Sequence, residues 1–275
     1  MITFVLSVKH YQNCNSYEFL WKMLEQTLVS ICNQTDKNFE VIVVSNKTLT
    51  QFDDNQYISK VKFIEVNWNP PAKPNKWQIN NHISENLGHK NVRLDKGSKF
   101  LLGISSISQI KTENHYVMLV DADDFIHKHL ATYINSSSAD LLRICKGFQL
   151  GIKNKYRYHN SKFYNICGTC NIHKLDILKK YLNLKNIKNN SSQSDIISST
   201  DDYFLKKVLG GHRFSYDFFT KRGYKSESVS FPAVVYNCSH NEQHSNKNSK
   251  QGTKLLTDEL IQNFSIKTLE SFSLE

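Results

Sequence analysis

The chain has 275 residues, 39% of them hydrophobic and 12% aromatic, with only 10 Gly and 4 Pro. That length and composition suffice for one large α/β domain or two small ones, exclude a disordered chain and argue against a turn-dense all-β fold. A formal charge of +10 points to an anionic ligand such as a nucleotide diphosphate or to an acidic membrane surface. Nucleic acid is the weakest partner, because the basic residues are scattered and no nucleic-acid module appears.

Ile2 to Val8 (ITFVLSV) is short, apolar and β-branched, which predicts a buried strand. From Ser16 the pattern changes to Leu20, Met23, Leu24, Thr27, Leu28 and Ile31, the stripe of an amphipathic helix with Ser16 as N-cap. Phe39–Ser45 and Val61–Val66 read as second and third strands. A proline-containing loop with Trp68 and Trp77 follows; these tryptophans anchor the loop or stack on a sugar. Next comes a helix with Phe100, Leu101, Ile104 and Ile107 facing inward, and then the strand YVMLV, Tyr116–Val120. Strands alternating with helices imply a mostly parallel, doubly wound, Rossmann-like sheet with helices on both faces.

The second half is less regular. Leu141–Ile144 lies in a predicted strand, and the basic, aromatic stretch from Lys146 to Lys162 predicts a solvated hairpin. FYNICGT (Phe163–Thr169) reads as a strand followed by a helix over Leu175–Leu182. The Asn- and Ser-rich stretch before Thr200 reads as a flexible loop, either a lid or an insertion, and Thr200–Leu209 as a short helix. SFPAVVYNCSH ends a last strand, and KLLTDELIQNF is a terminal helix with Leu255, Leu256, Ile261 and Phe264 apolar. The simplest organisation is one domain over 1–275: residues 1–125 as a donor half, 126–238 as an acceptor and catalytic half, and 239–275 as a C-terminal elaboration. The opening MITFVLSVKHY reads as a strand and not a signal sequence, and no apolar run approaches the ~20 residues that span a bilayer. The expectation is a cytoplasmic protein with reduced cysteines, for which a peripheral association with the inner face of a membrane is compatible with the charge.

Asp121, Asp123 and Asp124 crowd the end of the Tyr116–Val120 strand, where each close pair costs on the order of a few kcal/mol at an effective dielectric near ~20. A helix N-terminus, basic side chains or a divalent cation must compensate. In doubly wound sheets the ligand crevice lies beyond the carboxyl ends of the strands, where these aspartates stand. Asp-x-Asp on a turning backbone suits Mn2+ or Mg2+ completed by substrate phosphates, although turn and cap roles are common for such clusters. Asp124 reads as the structural member, capping a helix from Phe125. Asp201 and Asp202 form a second acidic pair, read as a helix start or as a general base behind a mobile loop.

Taken in order, TFVLSVKHY, TLVSICNQTDKNFEVIVVSN, DKGSKFLLGISS and YVMLVDADDF resemble the donor half of family 2 glycosyltransferases of the GT-A fold. The resemblance covers the first half well, and TDDYFL and VVYNCSHNEQHS extend it more loosely. It implies an inverting, metal-dependent transfer of a sugar from a nucleotide-sugar donor to a glycan or lipid-linked acceptor, in a surface-polysaccharide setting. By that resemblance Asp123 binds the metal, and Asp121 beside Ala122 contacts ribose or metal waters. Asp202 is the base with Asp201 as fallback, and His240 or His244 approaches the metal. Ser7, Lys9, Ser45, Asn46, Asp95 and Lys99 line the nucleotide pocket, Lys99 against phosphate. Two departures concern the nucleotide: Ser45-Asn46-Lys47 where the family carries an acid, and Ser7-Val8-Lys9-His10 where it carries a proline turn.

Competing readings are a nucleotidyltransferase, which needs paired carboxylates and a cation but no base at Asp202, and a binding protein that has lost catalysis. Cys167, Cys170 and His173, with Cys238 or His240, could supply a structural zinc site; the preferred reading is that they belong to a strand and loop on the acceptor side. His127 and His129 are expected on a surface helix.

Overall fold

The computed structural model describes residues 1–49, 60–72, 84–107, 114–240, 242 and 253–267, with the backbone alone of 84–89. The first half contains β1 (Ile2–Ser7), α1 (Tyr17–Cys32), β2 (Phe39–Ser45), β3 (Val61–Glu65), α2 (Ser84–Ser105) and β4 (Tyr116–Asp121). Then follow β5 (Phe125–Ile126), α3 (Leu130–Asn135), β6 (Leu141–Ile144), β7 (Gly147–Leu150), β8 (Lys155–His159) and β9 (Asn171–Lys174). The remainder is α4 (Leu175–Lys179), α5 (Gln193–Ser198), a π-helix (Phe204–Leu209), α6 (His212–Thr220), β10 (Ser226–Val229), β11 (Val234–Asn237), β12 (Lys254–Leu255) and α7 (Asp258–Phe264).

Seven strands form the main sheet in the order β10-β6-β9-β4-β1-β2-β3. All neighbours run parallel except β9, which is antiparallel to both β4 and β6. This is the mixed α/β architecture with a mostly parallel central sheet that the strand–helix alternation predicts. The alternation within β1 shows why both faces are covered. Ile2, Phe4 and Leu6 pack in one cluster with Leu20, Leu24 and Leu28 of α1. Val5 joins the opposite cluster with Phe100, Leu101 and Ile104 of α2. Ser16 caps α1 as expected, accepting from Phe19 N–H at 3.1 Å.

A second sheet, β12-β8-β7-β11-β5, carries a smaller core of Phe125, Leu150 and Val235 covered by Leu260 and Phe264 of α7. No described helix is long and apolar enough to cross a membrane.

Several expectations need correction. Phe125 begins a strand, not a helix, so Asp124 is no helix cap. Phe163–Asn165 is one 3-10 turn, and the strand of this region comes later, at Asn171–Lys174. Leu255 is in β12 and 66% exposed; Thr257 caps the terminal helix after it. His127 precedes α3 and packs edge-on against Phe231 and Phe264, and burial pulls its pKa down to about 4. The stretch before Thr200 contains α5 with a capping box of Ser192 and Asp195, tied down by Trp68 Nε1–H donating to Ser191 O at 3.1 Å. Trp68 is therefore an anchor; Trp77 lies outside the described residues.

α2 meets the π-helix without a gap at Gly97, where an added Cβ would collide with the backbone carbonyl of Leu205. Gly97→Ala is expected to lower stability by about 1–3 kcal/mol, read by thermal or urea unfolding.

Candidate active-site cleft

A cleft of about 300 Å3 opens beyond the carboxyl ends of β1 and β4. Parallel pairing sets Ser7 opposite Asp121, so Lys9 just past β1 and Asp123 just past β4 reach the same rim. α2 contributes Val92, Arg93, Asp95 and Lys96 to one wall, within little more than one helical turn. Ile166, Gly168, Gly210, His212, Arg213 and Tyr236 complete the lining, Gly210 packed against Arg93 of α2.

The three aspartates have three different partners. Lys96 Nζ pairs directly with Asp121 Oδ1. Burial works against the Lys96 charge, but Asp121 and then Asp123 and Asp124 hold its pKa above the ordinary lysine value. Gly168 permits this contact, since an added Cβ would strike Asp121 Oδ2. Asp123 Oδ2 lies 3.0 Å from His240 Nε2, though not in hydrogen-bonding geometry. Glu242 N–H donates to Nδ1 of that ring at 3.2 Å and orients it.

Asp124 is fully buried. Its Oδ2 accepts from Thr169 Oγ1 at 2.5 Å and Cys167 Sγ at 3.4 Å, and its Oδ1 from Asn237 N–H at 3.2 Å. Burial first, then the charges of Asp123 and Asp121, push its carboxyl well above the usual carboxylate range. The structural member of the cluster is thus a buried junction joining the end of β4, the Cys167–Cys170 turn and β11.

Asp123 with the orphaned Nε2 of His240 fits a hard divalent cation that takes few protein ligands and completes its shell with phosphate oxygens and water. Among the described residues no three or more His, Cys, Asp and Glu are arranged to hold a metal, and Asp121 is engaged by Lys96. His244 lies outside the described residues. The cysteines are not gathered with His173: the Cys167 thiol donates to Asp124, while His173 Nε2 meets Ser215 Oγ at 2.8 Å.

Other expected residues divide. Ser7, Lys9, Asp95 and Ala122 line the cleft. Lys99 does not: it is fully buried, donating to Asp95 Oδ2 and Val8 O at 2.8 Å each, and cannot meet a phosphate. Ser45 and Asn46 are also buried away from it, Ser45 against Thr48 and Asn46 donating to the carbonyls of Val66 and Trp68. Asp201 and Asp202 stand at the far end of the π-helix; Asp201 caps Phe204 N–H at 3.1 Å, and exposed Asp202 pairs with Lys206 at 2.5 Å. Only the Gly210 end of that helix borders the cleft.

Sequence reasoning missed Arg93, Lys96, Gly168, His212, Arg213, Tyr236 and Glu242. Arg93 and Lys96 were findable, three apart on a helix packed against β1. His212 and Arg213 carry no local signal, since they arrive through the packing of Gly210 against Arg93. Burial, then Lys96, pulls the His212 pKa down to about 4, and its buried Nε2 has no hydrogen-bond partner. Glu242 pairs with Lys9 at 3.0 Å and accepts from Asn15 and Ser16 N–H at 2.7 and 3.0 Å. Burial alone would raise its pKa, but these donors bring it below the ordinary value. Among the described residues neither Arg93 nor Arg213 has a carboxylate partner.

No family model matches this chain, and no curated protein does. Among solved structures it is similar to residues 1–349 of Staphylococcus aureus TarS, with 14% identity and a TM-score of 0.45, covering 86% of this chain and 60% of that one. The galactosyltransferase LgtC with donor and acceptor sugar analogues gives 12% identity and a TM-score of 0.35, covering 86% and 87%. The Francisella tularensis cytidylyltransferase IspD gives 11% and 0.35, covering 95% and 96%. The chain thus spans about 60% of the length of the TarS structure.

The raised pKa of Asp124 fixes a sign. The native state holds a proton that the unfolded chain releases at the ordinary carboxylate pKa, so stability falls as pH rises from there toward the folded pKa. Asp124→Asn keeps a neutral hydrogen-bonding group and is expected to remove this fall. Unfolding midpoints measured across pH should show wild type losing ground to the variant as pH rises.

Proposed function

We propose that the chain is a glycosyltransferase that moves a sugar from a nucleoside-diphosphate donor, with a divalent cation, to a hydroxyl of a glycan or lipid-linked acceptor. One observation carries the reading: beyond the carboxyl ends of β1 and β4, Asp123, backed by His240 at 3.0 Å, lines a cleft with Lys9, Lys96, Arg93 and Arg213, the last two without carboxylate partners among the described residues. A diphosphate needs such donors, and the planar guanidinium fork suits phosphate oxygens. The resemblance of the first half to family 2 glycosyltransferases supports the same donor class.

Asp123 and His240 would hold the cation, which when bound supplies Lewis-acid stabilisation of the leaving diphosphate. Arg93 and Arg213 would bind and orient the phosphates, and Lys96 would hold Asp121 in place through their ion pair. The cleft brings in His212 where the resemblance implies Asp202. Its ring lines the cleft wall and is in the neutral, proton-accepting form at neutral pH, and on that position we assign to it the acceptor hydroxyl's proton. Displacement on the sugar face opposite the leaving group inverts the anomeric carbon.

The test is release of nucleoside diphosphate from a panel of nucleotide sugars with Mn2+ and a glycan or lipid-linked acceptor. His212→Ala is expected to lower turnover by about 100-fold or more while nucleotide affinity holds, and Asp202→Asn to stay near wild type. The reverse pattern would return the base to Asp202. Release of pyrophosphate from nucleoside triphosphates in place of sugar transfer would make the protein a nucleotidyltransferase.

A further inference from the structure

Between Asp140 and Asp176 the chain has no acidic residue, while it carries Arg143, Lys146, Lys153, Lys155, Arg157, Lys162 and Lys174. The β7–β8 hairpin is the centre of this stretch. Its turn presents Ile152, 42% exposed, beside exposed Lys153, with left-handed backbone at Lys153 and Asn154 closing the turn. β12 then adds Leu255, 66% exposed, directly across from Lys155. Strand periodicity puts Arg157 on that same face, two residues along. Leu256 N–H donates to Asn154 O at 2.9 Å, which holds the edge strand at the turn. The nearest acids in sequence, Asp258 and Glu259, belong to α7, which packs against Leu150 and Tyr156 on the opposite face.

Two aliphatic side chains kept in water among three cations form an amphipathic surface on a hairpin and edge strand whose sequences carry no acid. Such a surface matches a lipid bilayer: the cations meet anionic headgroups, and the aliphatics enter the headgroup–acyl boundary. The hairpin also leads to the cleft, since β7 pairs with β11, whose Tyr236 lines it. We propose that Ile152, Lys153, Lys155, Arg157 and Leu255 form a docking face for an anionic lipid surface. This goes beyond the assignment of the cleft and does not depend on its chemistry.

Flotation of the full chain with phosphatidylcholine vesicles, with and without roughly one-third phosphatidylglycerol, is the test. The protein is expected to float with anionic vesicles and stay behind with neutral ones. Lys153→Glu with Lys155→Glu, and separately Ile152→Ser with Leu255→Ser, should each weaken binding about tenfold or more. Lys185→Glu with Lys188→Glu, an equal charge change on exposed residues elsewhere, should leave most of it. No flotation, equal loss in the control, or indifference to the hairpin substitutions would overturn the proposal. So would retention on an RNA homopolymer, lost on substituting the hairpin lysines, in a protein that ignores vesicles.

Discussion

Three carboxyl groups within four residues at the end of one buried strand cannot all stay charged without help, and the molecule solves this in three ways. Asp121 takes an ammonium from α2, Asp123 faces an imidazole carried in from beyond β11, and Asp124 is pushed toward its neutral form and hydrogen-bonded into the core. Each solution recruits a different part of the chain. The cluster is thus where the main sheet, the second sheet and the Cys167–Cys170 turn are joined.

This arrangement sets what the cleft can do. With Asp124 buried and Asp121 paired, Asp123 is the carboxylate left at the rim beside an imidazole nitrogen without a hydrogen bond. The surrounding charge is balanced to different degrees: Lys9 is neutralised by Glu242 and Lys96 by Asp121, while Arg93 and Arg213 have no carboxylate partner among the described residues. A strongly anionic ligand gains most from the two arginines. Glu242 has a second effect, because its contacts with Asn15 and Ser16 N–H fasten the segment that carries His240 to the start of α1. The ring facing Asp123 is positioned by the same helix end that Ser16 caps.

How legible this was varied with the range of the forces involved. β1, α1, β2 and β4 were readable because their apolar periodicities reflect burial on both faces of a parallel sheet, a property of the segment itself. The position of the aspartates at a strand end followed from the same pattern. Lys99 shows where the pattern misleads: a lysine among apolar helix residues reads as an exposed ligand-binding cation, yet Asp95 one turn earlier and the carbonyl of Val8 satisfy it inside the core. Asp202 shows the converse. Its local context suits a catalytic acid, but the π-helix that follows turns its Gly210 end to the cleft and leaves Asp202 in solvent. Such orientations are decided by packing between helices, at Gly97 and Gly210, which no local spacing records.

The central claim is that the end of β4 is a cation-assisted diphosphate site. Calorimetric titration of wild type and Asp123→Ala with UDP, GDP, CDP and dTDP, each with and without Mn2+, tests it most directly. The account predicts that at least one nucleoside diphosphate binds wild type more tightly with Mn2+, and that Asp123→Ala loses the gain from the cation. If none of them binds, or if Mn2+ strengthens binding equally in both proteins, the site is not the one described.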